Sequence, residues 1–176
     1  MAADQRQVAG QLERNLRFLA AAATRDGRLA LLTSIGDEQV VLGRLREAET
    51  TLREACLLAE ELVDRRALVD NLIVLARCVA ALNRPAEAEQ LLREADLLCR
   101  ERLVGGRRDD VLTELGTVLD TLDRRDEAVQ LLGQALELRS GRGDRAGAAA
   151  IEKLLASWGA PARGREEWPL GEWAPR

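Results

Sequence analysis

Apolar residues recur along the chain at the spacing of amphipathic helices, and this spacing itself repeats every forty residues. The phrase GRLREAETTLREA at 43–55 returns as NRPAEAEQLLREA at 83–95 and as DRRDEAVQLLGQA at 123–135. In the first copy Ala48, Leu52 and Ala55 lie at i, i+4 and i+7, which places them on one face of a helix. We therefore predict one amphipathic helix in each copy.

A second apolar stripe precedes each copy of the phrase. In the first unit it comprises Leu32, Ile35, Gly36 and Leu42, again at helical spacing. The turns between the two stripes contain Gly43, Asn83 and Asp123. These residue types tolerate the left-handed backbone that ends many helices. Each unit is thus predicted to be a helix, a tight turn and an antiparallel helix.

Small residues occupy matching positions in the two helices of every unit. Those of the first helix are Gly36, Ala76 and Gly116, and those of the second are Ala48, Ala88 and Ala128. Two small residues opposite one another allow helices to approach closely, and we expect Leu52 and its equivalents to fill the space beside this contact. Truncating such a leucine to alanine is expected to cost about 2–5 kcal/mol.

Composition agrees with packing of helix on helix. The chain has 176 residues, of which 47% are hydrophobic and 2% aromatic. Cores of leucine, alanine and valine are typical of all-α domains. The net charge of −4 argues against a nucleic-acid partner, because binding phosphates requires clustered positive charge. No apolar run approaches the ~20 residues of a membrane span, so no membrane partner is expected.

Residues suited to catalysis or metal binding are scarce. The chain has no histidine, which removes the commonest general base and metal ligand. Cys56, Cys78 and Cys99 form no metal-binding pair, and we interpret them as buried apolar residues in a reducing compartment. The first residues do not resemble a signal peptide, which favours a cytoplasmic protein. We expect no enzymatic activity, no cofactor and no metal.

The two-helix unit resembles the tetratricopeptide repeat. The resemblance rests on L-x-x-[IL]-[GA] in the first helix and A-x-x-x-L-x-x-A in the second, over residues 29 to 140. The forty-residue period is similar to the long-helix variant of kinesin light chains and bacterial regulators. The large aromatic residues usual in the first helix are absent, and Gln39 occupies one of their positions. Repeats of the HEAT type, which share this period, are the alternative fold.

The resemblance implies an all-α, right-handed α-solenoid of three units with a capping half-unit at each end. The predicted repeat domain is 1–159, with a capping helix at 3–24, units at about 29–66, 67–106 and 107–142, and a closing helix at 144–158. Residues 160–176 form a proline- and tryptophan-containing tail that is predicted to be non-helical. Trp168 and Trp173 are its candidate anchors, on this chain, on a second copy or on a partner.

In such arrays the first helices line a concave groove, and the resemblance implies which positions face it. The candidate peptide-binding residues are Thr33, Asp37, Asp70, Arg77, Asp110, Thr113, Glu114 and Thr117. Further lining positions are Ser34, Val41, Ile73, Val74, Asp120, Lys153 and Ser157. These residues do not match the carboxylate clamp of chaperone cofactors. Because carboxylates outnumber Arg77 and Lys153 in this set, we expect a basic or amide-rich peptide ligand.

Function is therefore predicted to be non-enzymatic binding of a protein or peptide, as a scaffold or adaptor. One alternative is a self-assembling protein, with a homodimer as its simplest form, because half-unit ends expose apolar surface. Another is a regulatory sensor that acts in trans within a bacterial transcription or signalling system. A groove that binds nothing and is merely solvated is the remaining interpretation.

Overall fold

Eight helices make up most of the part of the chain that the structure describes. This computed structural model describes residues 2–100 and 106–159. The helices are α1 (Ala2–Ala20), α2 (Arg25–Val41), α3 (Leu45–Glu61), α4 (Arg65–Ala81), α5 (Pro85–Arg100), α6 (Arg108–Thr121), α7 (Arg125–Gly141) and α8 (Arg145–Ser157). The predicted all-α repeat architecture is confirmed. The predicted tail, with Trp168 and Trp173, lies outside the described residues.

The turns recur at a fixed interval of twenty residues. Five of the described turns contain a residue with positive φ at this interval or a multiple of it, namely Gly43 (74°), Val63 (57°), Asn83 (63°), Asp123 (58°) and Gly143 (75°). Glycine, asparagine and aspartate suit this left-handed backbone. Val63 does not, because a β-branched side chain crowds the backbone there. The turn between α3 and α4 is therefore strained.

Side-chain caps begin three of the first-type helices. The Thr24 hydroxyl accepts a hydrogen bond from the Gly27 amide at 3.1 Å at the start of α2. Asp64 does the same for α4 at 3.0 Å, and Asp144 for α8 at 2.9 Å. Each cap satisfies an amide that the helix itself leaves unpaired. The second-type helices α3 and α7 follow Arg44 and Arg124, which make no such cap.

The predicted small-residue contact lies inside each helix pair, and its main partner is a leucine. A Cβ atom on Gly36 would lie 2.5 Å from Leu52 Cδ2, and one on Gly116 would lie 2.9 Å from Leu132 Cγ. Both leucines are fully buried. Glycine at these positions thus lets the leucine of the second helix reach the backbone of the first. Close approach is confirmed, although for Gly36 the nearest atoms belong to Leu52 and not to Ala48.

Two polar side chains lie within the apolar core. Asn71 in α4 is fully buried, and neither its Oδ1 nor its Nδ2 has a hydrogen-bond partner among the described residues. Gln39 is 5% exposed, and its Oε1 also lacks one. The three cysteines are buried and free, as predicted. Burial raises the pKa of the Cys56 thiol to about 12, so it stays protonated.

The recurring phrase also supplies charged groups that join successive units on the outer face. Arg84 Nη1 donates to both Glu49 oxygens at 2.8 and 2.9 Å. Arg53 donates to Glu49 at 2.9 Å and to Glu87 at 2.5 Å, and Arg84 also pairs with Glu87. Forty residues on, the same quartet is formed by Glu89, Arg93, Arg124 and Glu127. We call these four-residue groups the junction quartets.

Curvature follows from unequal spacing of the helices. The first-type helix α4 contacts both α2 and α6, whereas no contacts of comparable extent join α3 to α5 or α5 to α7 in the described part of the chain. The first-type helices are therefore closer together and lie on the inner face of the curve. None of the described helices combines the length and apolarity needed to cross a membrane.

Candidate functional site

The inner face formed by α2, α4 and α6 contains a row of charged side chains centred on Arg77. Arg77 is 51% exposed, and its Nε lies 3.8 Å from Glu114 Oε1 on the neighbouring helix. That distance is too long for a direct hydrogen bond. The Arg77 guanidinium therefore keeps donors available at the middle of the groove.

Two carboxylates flank Arg77, and both are partly desolvated. Burial raises the pKa of Glu114 above its ordinary value, while Arg77 opposes this shift and Asp110 adds to it. Burial likewise raises the pKa of Asp37, with Arg77 again opposing and Asp70 adding. Arg77 thus acts on two carboxylates, of which Glu114 is half-buried and Asp37 is exposed. We call Asp37, Arg77 and Glu114 the central triad.

The other acidic groove residues are neutralised within the protein. Arg107 Nε donates to Asp70 at 2.6 Å, and its Nη1 donates to Asp110 at 2.9 Å. Asp110 also accepts from Arg139 Nη2 at 2.7 Å. Asp120 is bound by Arg125 at 2.7 Å. Only Asp37 and Glu114 among the predicted groove carboxylates rely on Arg77, so the groove is less acidic than the sequence indicates.

Arg139 is itself held by a deeply buried carboxylate. Asp109 is 2% exposed, with its Oδ2 2.9 Å from Arg139 Nε and 2.6 Å from Arg142 Nη2. Arg142 also donates to the Gly106 carbonyl at 2.7 Å. Buried charges need partners of this kind. The Asp109 cluster therefore fixes the end of α7 against the start of α6 and positions Arg139 beside the groove.

The apolar and hydroxyl residues that were predicted to line the groove differ in their exposure and in their hydrogen bonds. Ile73 and Val74 are 5% and 9% exposed and pack in the core, so the prediction that they line the groove is wrong. Thr113 donates to the Asp109 carbonyl at 2.6 Å, and Thr117 donates to the Thr113 carbonyl at 3.1 Å. These hydroxyl protons are engaged within α6. Thr33 is half-buried, while the lining positions Ser34, Val41, Lys153 and Ser157 are exposed.

An open depression of about 720 Å³ lies elsewhere, on the outer face beside α3. Its walls include Glu49, Arg53 and Arg84, whose polar atoms already bond one another in a junction quartet. We therefore assign it a structural origin. Within residues 2–100 and 106–159 no group of three or more candidate ligands could hold a metal ion.

Arg107 and Arg139 are the groove residues that sequence reasoning missed. Arg107 lies in the stretch GGRRDD at 105–110, which joins two units and carries no repeat pattern. The available sign in the sequence was that two arginines directly precede Asp109 and Asp110, which indicates ion pairs in this region. It could not show that Arg107 would reach back to Asp70 on α4.

Comparison with known proteins supports this architecture. Residues 109–141 match the family model of the tetratricopeptide repeat. No curated protein sequence matches the chain. The chain therefore has a fold of tetratricopeptide-like repeats, and scaffolds of this class are generally non-enzymatic and generally mediate protein–protein interactions.

Several solved structures have the same fold. The apo form of RapI superposes with a TM-score of 0.81 at 11% identity, over 89% of this chain and 58% of RapI. Kinesin-light-chain-type repeats of Podosopora anserina superpose with a TM-score of 0.70 at 20% identity, over 86% of this chain and 77% of theirs. A Rap protein complexed with Competence and Sporulation Factor gives 0.62 at 15% identity, over 87% and 47%. The chain thus spans 58% of the length of RapI, and at these identities the likeness concerns the fold.

Proposed function

We propose that the chain is a non-enzymatic adaptor that binds a peptide or an extended protein segment in the groove of α2, α4 and α6. The observation that carries the proposal is the central triad. Asp37 and Glu114 are partly desolvated on either side of Arg77, and Arg77 is half exposed without a close hydrogen bond to Glu114.

Such a triad suits a ligand that brings both donors and acceptors. Every peptide unit offers one N–H and one C=O. A ligand carbonyl can accept from Arg77 while a ligand N–H donates to Glu114. A lysine, arginine, asparagine or glutamine side chain would supply the donors that Asp37 and Glu114 lack. Charge-assisted hydrogen bonds of this type are the stronger ones.

The groove carboxylates that are already paired within the protein contribute less to ligand binding than the central triad does. Asp70 and Asp110 already accept hydrogen bonds from Arg107, at 2.6 and 2.9 Å, so a basic ligand gains little from them. Ligand selection is therefore concentrated at the central triad. One similar structure, a Rap protein, is a complex with Competence and Sporulation Factor, which supports a binding role for arrays of this fold.

The test uses a synthetic library of short peptides that varies every position. We expect the purified chain to enrich peptides containing lysine, arginine, asparagine or glutamine. Fluorescence anisotropy of labelled, enriched peptides then gives dissociation constants. The double variant Asp37→Asn/Glu114→Gln is expected to weaken binding by roughly tenfold or more, which corresponds to about 1.4 kcal/mol.

A matched control removes two carboxylates of the outer face. Glu47 and Glu61 are exposed and lie 3.8 and 3.3 Å from Arg44 and Arg25. The double variant Glu47→Gln/Glu61→Gln makes the same change in net charge as the groove variant. If both double variants weaken binding equally, the ligand responds to overall charge and the groove assignment fails.

A further inference from the structure

The outer face of the array carries two exposed leucines that the repeat itself does not require. Leu57 on α3 is 62% exposed, and Leu97, its equivalent forty residues on in α5, is 58% exposed. The equivalent positions of α1 and α7 hold the charged residues Arg17 and Glu137. Packing of a unit therefore does not need an apolar residue at this position, and the two leucines are free to contact another molecule.

Two glutamates face one another where α3 and α5 run side by side. The two helices have the same direction, and Arg53 of α3 contacts Glu87 of α5 at an offset of thirty-four residues. The same offset places Glu60 opposite Glu94. Partial burial raises the pKa of Glu94, and the nearby charge of Glu60 raises it further. Both charges also add to the effect of burial in raising the pKa of the Cys56 thiol, so both carboxylates lie near that residue.

These like charges are peculiar to the seam between α3 and α5. Neither the Glu60 nor the Glu94 side chain forms an ion pair or a hydrogen bond within residues 2–100 and 106–159. In the next seam, between α5 and α7, the equivalent residues are Arg100 and Gln134. There Arg100 donates to Asp96 at 2.7 Å. The second seam is thus satisfied within the chain, whereas the first presents two carboxylates without a cation.

The junction quartet of the same seam shows which group such a pair of carboxylates binds. Arg53 donates to Glu49 of α3 at 2.9 Å and to Glu87 of α5 at 2.5 Å. One guanidinium therefore binds two carboxylates from opposite sides of the seam. Glu60 and Glu94 offer a second pair of this kind, and the guanidinium is missing. An arginine from a partner would supply it through charge-assisted hydrogen bonds.

The leucines and the glutamates form one continuous surface. Glu60 follows Leu57 by three residues and Glu94 precedes Leu97 by three, which is the spacing of neighbours on a helix surface. The carboxylate pair thus has a leucine on either side. Leu57 also forms part of the wall of the outer depression, which leaves room for an apolar side chain beside it. We call these four residues the outer patch.

We propose that the outer patch is a docking surface for a segment of another protein that presents one arginine between apolar side chains. The arginine lies between Glu60 and Glu94, and its apolar neighbours cover Leu57 and Leu97. Charge complementarity selects the arginine. The outer patch lies on α3 and α5, whereas the groove lies on α2, α4 and α6, so the two surfaces can bind different partners at the same time.

The probe that tests this proposal is a fluorescently labelled, alanine-based helical peptide in which an arginine has a leucine one turn to either side. Fluorescence anisotropy with the full chain should show saturable binding of one peptide per chain, because the seam between α5 and α7 lacks the carboxylate pair. The same peptide with citrulline in place of arginine keeps the shape and loses the charge. It should bind roughly tenfold or more weakly.

A double-mutant cycle locates the arginine. Glu60→Gln/Glu94→Gln should weaken binding of the arginine peptide by a similar factor and should leave the citrulline peptide unaffected, because the two changes remove the same contact. The groove variant Asp37→Asn/Glu114→Gln is the matched control, since it makes the same change in net charge. It should bind the arginine peptide like the unmodified chain.

Two further variants test the two components of the outer patch separately. Leu57→Ser/Leu97→Ser should weaken both peptides, because it removes the apolar contact that they share. Glu60→Arg places a guanidinium beside Glu94 within the chain, at the position that Arg100 holds in α5. It should raise the urea midpoint of unfolding and prevent binding of the arginine peptide, so loss of binding in this variant does not come from loss of the fold.

Four results would overturn the proposal. The first is no saturable binding of the arginine peptide, or equal binding of the citrulline peptide. The second is equal weakening by the groove variant, which would place the peptide in the groove or assign its binding to overall charge. The third is binding of two peptides per chain, which would show that the leucines alone suffice. The last is self-association in sedimentation equilibrium that Glu60→Gln/Glu94→Gln abolishes, because the occupant is then a second copy of this chain.

Discussion

Arg84 of the second unit donates hydrogen bonds to both carboxylate oxygens of Glu49 in the first unit, and Arg124 makes the same contact with Glu89 forty residues on. Both glutamates come from the phrase that recurs in the sequence. The phrase therefore serves two purposes, since its alanines and leucines pack the helix pair and its charges bind the next pair.

Replacing Arg84 by glutamine should weaken the junction between the first two units. Glu49 and Glu87 would lose a shared guanidinium, and the urea midpoint should fall more at low salt than at high salt because exposed ion pairs are screened. The control is Arg46→Gln in α3, which lines the same outer depression as Arg84 but forms none of the ion pairs of the junction quartet. A loss that is independent of salt would contradict an electrostatic origin.

Stability should change with pH in two opposite steps. The pKa of Glu114 is raised, chiefly by burial, so the folded state binds its proton more readily than the unfolded state does. The resulting destabilisation is fully present above that raised pKa, and it is relieved as pH falls through the raised pKa toward the ordinary glutamate pKa. Hydrogen bonds from arginine hold the pKa of Glu49 and Glu87 below the ordinary range. The stability they contribute is complete above the ordinary glutamate pKa and is lost as pH falls through the lowered values.

Urea denaturation at a series of pH values separates these two steps. Glu114→Gln should gain stability relative to the unmodified chain at neutral pH, and the gain should shrink as pH falls. Glu87→Gln should instead reduce the loss of unfolding free energy at the acidic end of the pH range. Parallel profiles for Glu114→Gln and the unmodified chain would show that the groove does not desolvate this carboxylate.

Replacing Asn71 by leucine should stabilise the fold. Its amide is buried without hydrogen-bond partners among the described residues, and the equivalent positions in the other units hold Leu31 and Val111. An unsatisfied buried polar group costs about 1–3 kcal/mol. We expect a gain of that order in the free energy of unfolding, measured by chemical denaturation.

Asn15 provides the opposite case. It is 7% exposed, and its Nδ2 donates to Glu38 at 2.8 Å. Asn15→Leu should destabilise the protein, because Glu38 then loses its donor. If both asparagine variants shift stability in the same direction, hydrogen-bond satisfaction is not the deciding factor.

Replacing Val63 by glycine should also stabilise the protein. Its φ of 57° is costly for a β-branched residue, and its side chain is 67% exposed, so little packing is lost. Left-handed backbone costs about 1–2 kcal/mol for a residue with a Cβ, which glycine's greater entropy in the unfolded chain partly offsets. A net gain of about 0.5–1 kcal/mol is expected from thermal denaturation.

Gly43→Val is the reciprocal change at an equivalent turn. A Cβ there would meet nothing within 4 Å, so any loss comes from the backbone alone. We expect destabilisation by about 1–2 kcal/mol. Equal stability of Gly43→Val and the unmodified chain would contradict the strain assigned to Val63.

Sequence periodicity correctly predicted the structural features that are determined within a single repeat unit. The helices, their turns and the small residue at position 36 follow from local spacing, because one helix pair determines them. The groove depends on how units sit against one another. Arg107 reaches Asp70 across a unit boundary, and Ile73 and Val74 are buried by neighbouring helices. No repeat pattern encodes those distances, so the sequence overestimated both the acidity and the open apolar surface of the groove.

The strain at Val63 escaped prediction for a related reason. The turns between units lack the recurring phrase, and valine is a poor signal of left-handed backbone. The twenty-residue interval connecting Gly43, Val63 and Asn83 becomes visible only when their φ angles are compared.

The junction quartets have a consequence for how the array can grow. The second unit carries both halves of a junction, with Arg84 and Glu87 facing the preceding unit and Glu89 and Arg93 facing the following one. A tandem duplicate of that unit would meet matching charges at both of its borders without any further substitution. The third unit has Val129 and Gly133 where the second has Glu89 and Arg93, so the same duplication there would create a junction with no such pairs. Lengthening by gene duplication is thus favoured in the middle of this array and disfavoured after its third unit.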